Sequence, residues 1–329
     1  MTTFRALLVS EENGKYVKRI VKRRLDELPE NEVLIRVCFS SLNYKDALSA
    51  SGNKGVTKNY PHTPGIDAAG VVEKDITGKF NPGEEVVVIG YDLGMNTPGG
   101  FGQYISVPAK WVIRLPEKLS LKTAMVFGTA GFTAAMSIDK LESFGLKKDA
   151  GEVLVTGATG GVGSMTVAML NSLGYKVVAS TGKKDKVDFL KSIGAEEIIP
   201  REELDDKSTK PLLKPRWAGV VDTVGGNILA TALKTVKYGC SVTTCGLTSS
   251  PELNTTVFPF ILRGINLLGI DSVEQPLEIK EKIWRDISYK WSNLPFEKIY
   301  EEIPLERVPD HLEEIISRKN TGRKVVNLD

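Results

Sequence analysis

The segment from Glu152 to Ser180 constrains the fold more than any other part of this 329-residue chain. The β-branched run Glu152-Val153-Leu154-Val155-Thr156 leads directly into Gly157-Ala158-Thr159-Gly160-Gly161-Val162-Gly163, and a helical pattern continues to about Leu173. A second strand-like run, Lys176 to Ser180, follows. Strand, glycine turn, helix and strand form the opening unit of a doubly wound parallel sheet. Glycines in the turn permit positive φ and let backbone N–H groups approach a pyrophosphate, while the helix N-terminus adds favourable potential for the anion. The loop therefore reads as a dinucleotide seat. Thr159 stands at the second glycine of a G-x-G-x-x-G pattern, and the Lys-Ser/Thr ending of a triphosphate-binding loop is missing, so triphosphate hydrolysis is not expected.

From about Leu121 onward, helical patterns of ten or more residues alternate with short β-branched runs. Strands are expected at Glu152–Thr156, Lys176–Ser180, Glu197–Ile199, Gly219–Asp222, Ser241–Cys245 and Leu267–Ile270, enough for a six-stranded nucleotide domain. Before Pro116 the chain reads as short strands, Glu32–Phe39, Ala69–Glu73, Glu85–Gly90 and Gln103–Val107, broken by turns such as Asn81-Pro82-Gly83. A helix is expected near Leu277–Tyr289. The alternating strand Lys324–Leu328 needs a partner sheet and is expected to return to the first domain. The fold class is thus α/β: a β-rich domain over 1–122 and 298–329, and a doubly wound six-stranded parallel sheet over 123–297.

Net charge is +2 over 43 basic and 41 acidic residues, too balanced to attract a nucleic-acid backbone. Three cysteines, Cys38, Cys240 and Cys245, form no disulfide framework, and a reducing compartment, the cytoplasm, is expected. Met1 to Ser10 reads as a strand instead of an export signal. Apolar stretches such as Phe258–Leu262 and Leu267–Ile270 fall far short of the roughly 20 residues that span a bilayer, so no membrane partner is expected.

An acid at the end of the second strand would bind the ribose hydroxyls of NAD. Here the run is Ala179-Ser180-Thr181-Gly182-Lys183-Lys184, which removes repulsion against a 2′-phosphate and adds cations, and NADPH is favoured. The loop also fits the T-G-x-x-x-G-x-G form of short-chain dehydrogenases, but none of the nine tyrosines has the lysine four residues later that their chemistry needs.

With the short-chain class set aside, the whole chain resembles the medium-chain dehydrogenase/reductase superfamily, whose members place a GroES-like β-rich domain before a Rossmann domain. Where zinc alcohol dehydrogenases carry Cys-x-x-Asp and Gly-His-Glu, this chain reads Asn43-Tyr44-Lys45-Asp46 and Gly65-Ile66-Asp67, so those ligand positions cannot bind zinc, and no metal is expected. Cys38, within a strand, reads as a small buried side chain. The segments Ser41 to Asp46, Pro64 to Gly70, Gly128 to Ala134, Pro259 to Arg263 and Gly269 to Val273 are similar to the zinc-free YhdH/YhfP-type quinone oxidoreductase and acrylyl-CoA reductase branch.

That resemblance implies NADPH contacts at Tyr44, Thr159, Gly160, Gly161, Val162, Thr181, Gly182, Lys183, Arg201, Leu247, Ile261 and Ser272, and at Arg318, which stands where related proteins carry asparagine. Asn43 is expected as an orienting hydrogen-bond partner, Tyr44 as nicotinamide contact and proton donor, and Asp67 as an orienter behind them. The implied reaction is hydride transfer to an α,β-unsaturated carbonyl or a quinone, two small-molecule classes these motifs do not separate. A homodimer pairing nucleotide domains near Leu267–Val273 is implied as well. A non-catalytic NADPH-binding sensor shares every one of these motifs, because a fold does not guarantee turnover.

Overall fold

The structure, a computed structural model, describes residues 2–329. Its strands, in chain order, are β1 Thr3–Glu12, β2 Lys15–Arg24, β3 Val33–Ser41, β4 Asp67–Asp75, β5 Glu85–Ile89, β6 Tyr104–Val107 and β7 Ile113–Arg114, then β8 Glu152–Val155, β9 Lys176–Thr181, β10 Glu197–Pro200, β11 Trp217–Asp222, β12 Val236–Thr244 and β13 Asn266–Gly269, and finally β14 Tyr300–Pro304 and β15 Arg323–Asn327. The helices are α1 Tyr44–Ala50, α2 Leu121–Ser143, α3 Gly161–Ser172, α4 Val187–Ser192, α5 Gly226–Thr235, α6 Phe258–Arg263, α7 Leu277–Trp291, α8 Phe296–Ile299 and α9 Val308–Ile316.

The chain divides into two compact units. The first holds the residues up to Thr129, together with Val273–Ser292 and Tyr300–Asp329. Its main sheet runs β14-β15-β3-β4-β5-β7, with β6 also paired to β3. Val33, Ile35 and Val37 of β3 and Val86 and Val88 of β5 follow the period-two alternation and enter one core, which Leu312 and Ile315 of α9 help fill. The C-terminal strand β15 lies antiparallel to β3 and parallel to β14, which satisfies its need for a partner sheet. A hairpin, β1 with β2, was not legible in the sequence beyond its first strand. Six of the ten residues of β2 are Lys or Arg, and these cations mask its alternation, whereas the Asn13-Gly14 turn with both φ positive carries the hairpin signal.

Helix α7 also goes with this first unit, although the sequence reading put residues 273–292 within the nucleotide domain. The physical reason is Lys280: fully buried, it donates from Nζ to the carbonyls of Ile89 (2.8 Å) and Val273 (2.9 Å), and so fastens α7 to the end of β5.

The second unit, Ala130–Ser272 with Asn293–Ile299, is a parallel sheet ordered β10-β9-β8-β11-β12-β13. Counting β8 as first, the order is 3-2-1-4-5-6, the doubly wound arrangement, with its topological switch point between β8 and β11. Strand β12 starts earlier than the expected Ser241, because Val236 pairs with Trp217 before a register shift. Leu154, Val178, Val220 and Val242, one from each of four neighbouring strands, meet Leu229 and Leu233 of α5 in the core.

Leu233 is fully buried against that sheet. Replacing it with alanine removes its contacts and leaves a cavity, so L233A should lose about 2 to 5 kcal/mol in urea unfolding with the fold retained by circular dichroism.

Candidate active site and dinucleotide seat

In the second unit, β8 ends at Val155, and Thr156 to Gly160 carry the chain to the start of α3. Gly157 has φ +59°, and a Cβ there would stand 2.5 Å from Thr223 Oγ1 and 2.7 Å from Val224 Cγ1. A Cβ at Gly163 would stand 2.7 Å from Ala158 Cα. At these two glycines the packing is so close that a side chain is excluded, and the loop leads into the N-terminal end of α3, where the first N–H groups of a helix lack internal acceptors. A pyrophosphate fits this cradle.

Asp222 holds the cradle from below. Thr156 Oγ1 donates to its Oδ1 at 2.8 Å, and Gly225 N–H and Thr244 Oγ1 donate to its Oδ2 at 2.9 and 3.1 Å. Thr223 N–H in turn donates to Thr156 Oγ1 at 3.0 Å. One buried carboxylate thus ties the C-terminal ends of β8, β11 and β12 at the switch point. Burial pushes its pKa up against the opposing pull of those hydrogen bonds. It also pushes the neighbouring Cys245 thiol up to about 12, which leaves that cysteine unreactive.

The end of β9 brings further predicted contacts together. Thr159 and Thr181 are both buried, with hydroxyl oxygens 3.5 Å apart, and Lys183 N–H donates to Thr181 Oγ1 at 3.0 Å. Arg201 lies over Gly182, where a Cβ would come 2.9 Å from its Cδ. Burial draws the Lys183 ammonium below its ordinary pKa and nearby Lys186 adds to the effect, with Asp185 opposing, so an anion here would meet a favourable partner. Leu247, after β12, and Ile261, on α6, are 56% and 68% exposed, while Ser272, after β13, is buried. Each of these positions follows the C-terminal end of a strand, where doubly wound sheets bind ligands.

In the first unit, the two expected catalytic side chains sit at the start of α1. Asn43 is its N-cap and Tyr44 its first residue. The asparagine's Nδ2 donates to Asp67 Oδ2 at 2.7 Å and to the carbonyl of Ser41 at 3.2 Å. Asp67, at the start of β4, has no exposed surface and accepts three further hydrogen bonds: Ser41 Oγ (2.6 Å), Thr129 N–H (2.9 Å) and Thr129 Oγ1 (2.5 Å). Tyr44 is half-buried against the sheet core. Arg318 stands apart from this cluster, exposed beyond α9 with φ +60°, its N–H on the carbonyl of Ile315.

Four members of the cluster escaped the sequence reading. Arg323, 2% exposed, donates to the carbonyls of Val126 (3.0 Å) and Leu42 (2.9 Å) and to Ser41 Oγ (2.8 Å), with Nη2 3.8 Å from Asp67. Asp46, fully buried, accepts Asn43 N–H and Ile66 N–H, both at 2.8 Å. Thr129 reaches Asp67 because Gly128 breaks α2 with φ +49°, and a Cβ at Gly128 would overlap Asp67, Ser41 and Arg323. Ser41 carries the hydrogen bond from Arg323 on to Asp67. All lie in or beside the motifs that carry the resemblance, except Arg323, which stands near Arg318, Lys319 and Lys324 with no local sign that it is buried.

At the positions where zinc enzymes carry ligands, Asn43 is engaged with Asp67, and the buried Ile66 presents only its backbone N–H. Among the described residues no group of three or more His, Cys, Asp or Glu side chains is placed to hold a metal ion.

Burial, and secondarily the charge of Asp67, raise the Asp46 pKa to about 7. The folded state therefore holds a proton that the unfolded chain releases near pH 4, and stability falls as pH rises from about 4 to 7. The change from this one group is roughly 4 kcal/mol. In urea unfolding followed across that range, wild type should show this decline and D46N, although less stable, should lack that part of it.

Residues 29–117 match the family model described as the alcohol dehydrogenase GroES-like domain, and residues 161–288 match that described as zinc-binding dehydrogenase. The chain is 43% identical to the acrylyl-CoA reductase AcuI of Ruegeria pomeroyi, over 99% of both chains. It superposes on the Bacillus subtilis protein yhfP, solved with NAD bound, at a TM-score of 0.96 and 44% identity over 100% of both chains. It superposes on the Salmonella enterica yhdH oxidoreductase, solved with NADP, at 0.95 and 39% identity, over 99% of this chain and 100% of that one. The fold, the glycine seat and these full-length similarities place the chain in the zinc-free quinone oxidoreductase and acrylyl-CoA reductase branch of the medium-chain dehydrogenase/reductase superfamily.

Proposed function

We propose that this chain is an NADPH-dependent reductase of an activated double bond: an α,β-unsaturated carbonyl such as an acrylyl-CoA-like thioester or an enone, or a quinone. The observation that carries the reading is Asn43. At a position where a zinc enzyme places a metal ligand, this chain holds an amide fixed by a buried carboxylate, beside a tyrosine. Such a pair suits a carbonyl that needs orientation and a proton, more than an alcohol that needs Lewis-acid activation.

When bound, the dinucleotide supplies the hydride. Thr159 to Val162 receive its pyrophosphate through backbone N–H groups and the dipole of α3. Lys183 and Arg201 meet the 2′-phosphate beside Thr181 and Gly182, and Leu247, Ile261, Ser272 and Tyr44 complete its contacts. The matching of a half-buried lysine to a phosphate favours NADPH over NADH. Arg318, exposed beyond α9, is assigned to solvent.

On the substrate side, Asn43 orients the carbonyl, and Asp67 fixes the amide so that little reorganisation is needed when charge develops on oxygen. Tyr44 supplies the proton to the α-carbon after hydride reaches the β-carbon, so the carbon–carbon double bond is reduced by one hydride and one proton. Among the described residues no side chain hydrogen-bonds its phenol, which leaves it available for that transfer.

We also propose a cytoplasmic homodimer joined along β13. This is an outer strand of its sheet, and Val257, just before α6, and Leu262 on α6 are exposed, a combination that favours cover by a second copy.

A steady-state comparison of acrylyl-CoA, a simple enone and a simple quinone, each with NADPH and NADH, tests the reading. Turnover of at least one acceptor should run about tenfold more efficiently with NADPH. NADPH binding with no acceptor reduced would point to a sensor, and an equal or better rate with NADH would overturn the cofactor assignment.

A further inference from the structure

Lys280 takes part in none of the steps above, yet it is a fully buried lysine in a unit whose chemistry depends on buried charge. Its ammonium sits 3.4 Å from the centroid of the Tyr91 ring, and it donates to the carbonyls of Ile89 and Val273. Tyr91 itself is held in place. Its ring stacks on Trp111 with centroids 5.5 Å apart, and its hydroxyl donates to the carbonyl of Gln275 at 3.0 Å.

What this cation fixes leads to the acid cluster in two short steps. Ile89 is the residue of β5 registered against Asp67. Gly90 N–H donates to the carbonyl of Ile66 at 3.1 Å, and Ile66 N–H donates to Asp46. The turn through Gly90 and Tyr91 has φ +70° and +52°, and Tyr91 is one of three non-glycine residues with positive φ among those described. A non-glycine residue held in that region needs surroundings that enforce it. A Cβ at Gly90 would stand 3.1 Å from Val273 and 3.2 Å from Lys280 Nζ, so the turn is closed tightly around the ammonium.

We propose that Lys280 is a positioning residue: its buried ammonium, clamped on the Ile89 and Val273 carbonyls and the Tyr91 ring, sets the Ile66–Asp67 segment from which Asp67 holds Asn43. It touches no substrate. The proposal rests on the reductase reading for its catalytic consequence but not for its structural one, and the test separates the two.

The test compares wild type with K280M, K280R and Y91L, each assayed well below its own melting temperature. Amide hydrogen exchange is read at Ile66–Asp67, Gly90–Tyr91 and Thr129, together with kcat and the KM for NADPH. In K280M, exchange at Gly90 and at Thr129 should rise by about tenfold or more, and kcat should fall about tenfold with the NADPH KM within about twofold. K280R, which keeps a cation and donors, should recover at least part of both. Faster exchange without any turnover in wild type would uphold the clamp and sink the reductase reading. Unchanged exchange at Thr129 with full kcat, a lower melting temperature being the sole effect, would overturn the proposal, as would equal impairment of K280M and K280R. If K280M does not fold, Y91L decides: it removes only the ring, and should give a smaller change of the same kind, whereas exchange and kcat equal to wild type overturn the clamp.

Discussion

A carboxylate without access to water must find every hydrogen bond inside the protein, and Asp67 meets that requirement in a way that organises its whole unit. Its two oxygens collect donors from β3 (Ser41), from the entrance of α1 (Asn43) and from the break in α2 (Thr129), while Arg323 at the start of β15 supplies the nearest positive charge. A buried charge left without such partners costs several kcal/mol, so these four segments are specified together. Gly128 shows how strict the specification is: the helix breaks at the residue whose side chain would occupy the hub.

The second unit solves the same problem differently. Asp222 also lies buried, but its donors come from the ends of β8 and β12 and from the turn that follows its own strand, and what they stabilise is a glycine loop open to a phosphate. One carboxylate assembles a set of side chains, and the other assembles a backbone surface. This division suits a reductase whose cofactor carries the hydride while the protein contributes orientation and a proton. Asp46 adds a further electrostatic element, a carboxyl that burial keeps protonated up to about pH 7 beside the ionic pair of Asp67 and Arg323.

Much of this was legible in the sequence where the signal is local. The parallel strands stood out because buried β-branched runs and glycine turns need no partner to be recognised, and five of the six expected positions lie within three residues of the observed ends. The phosphate seat was legible for the same reason. Asn43 and Asp67 could be named through motifs, but not that they bond to each other across 24 residues. Arg323, 280 residues from Asn43, stands near Arg318, Lys319 and Lys324, cations of a kind that ordinarily face water, and only the pairing of β15 with β3 brings it inside. Lys280 was hidden in the polar pattern of α7, since lysine in an amphipathic helix ordinarily faces water. The hairpin strand β2 was obscured by its cations. In each case the missing information is tertiary: burial of a charge is decided by partners distant in sequence.

On this account Asp67 acts on the substrate side by fixing Asn43 and takes no part in holding the cofactor. The measurement that bears on it most directly is the effect of D67N on NADPH affinity, by calorimetry, set beside its effect on turnover of the best acceptor, with folding verified by thermal melting. Affinity within about threefold of wild type and turnover lower by about a hundredfold or more is the result expected from losing transition-state orientation alone. Turnover near the wild-type level, or a loss of cofactor affinity as large as the loss of turnover, would contradict the account.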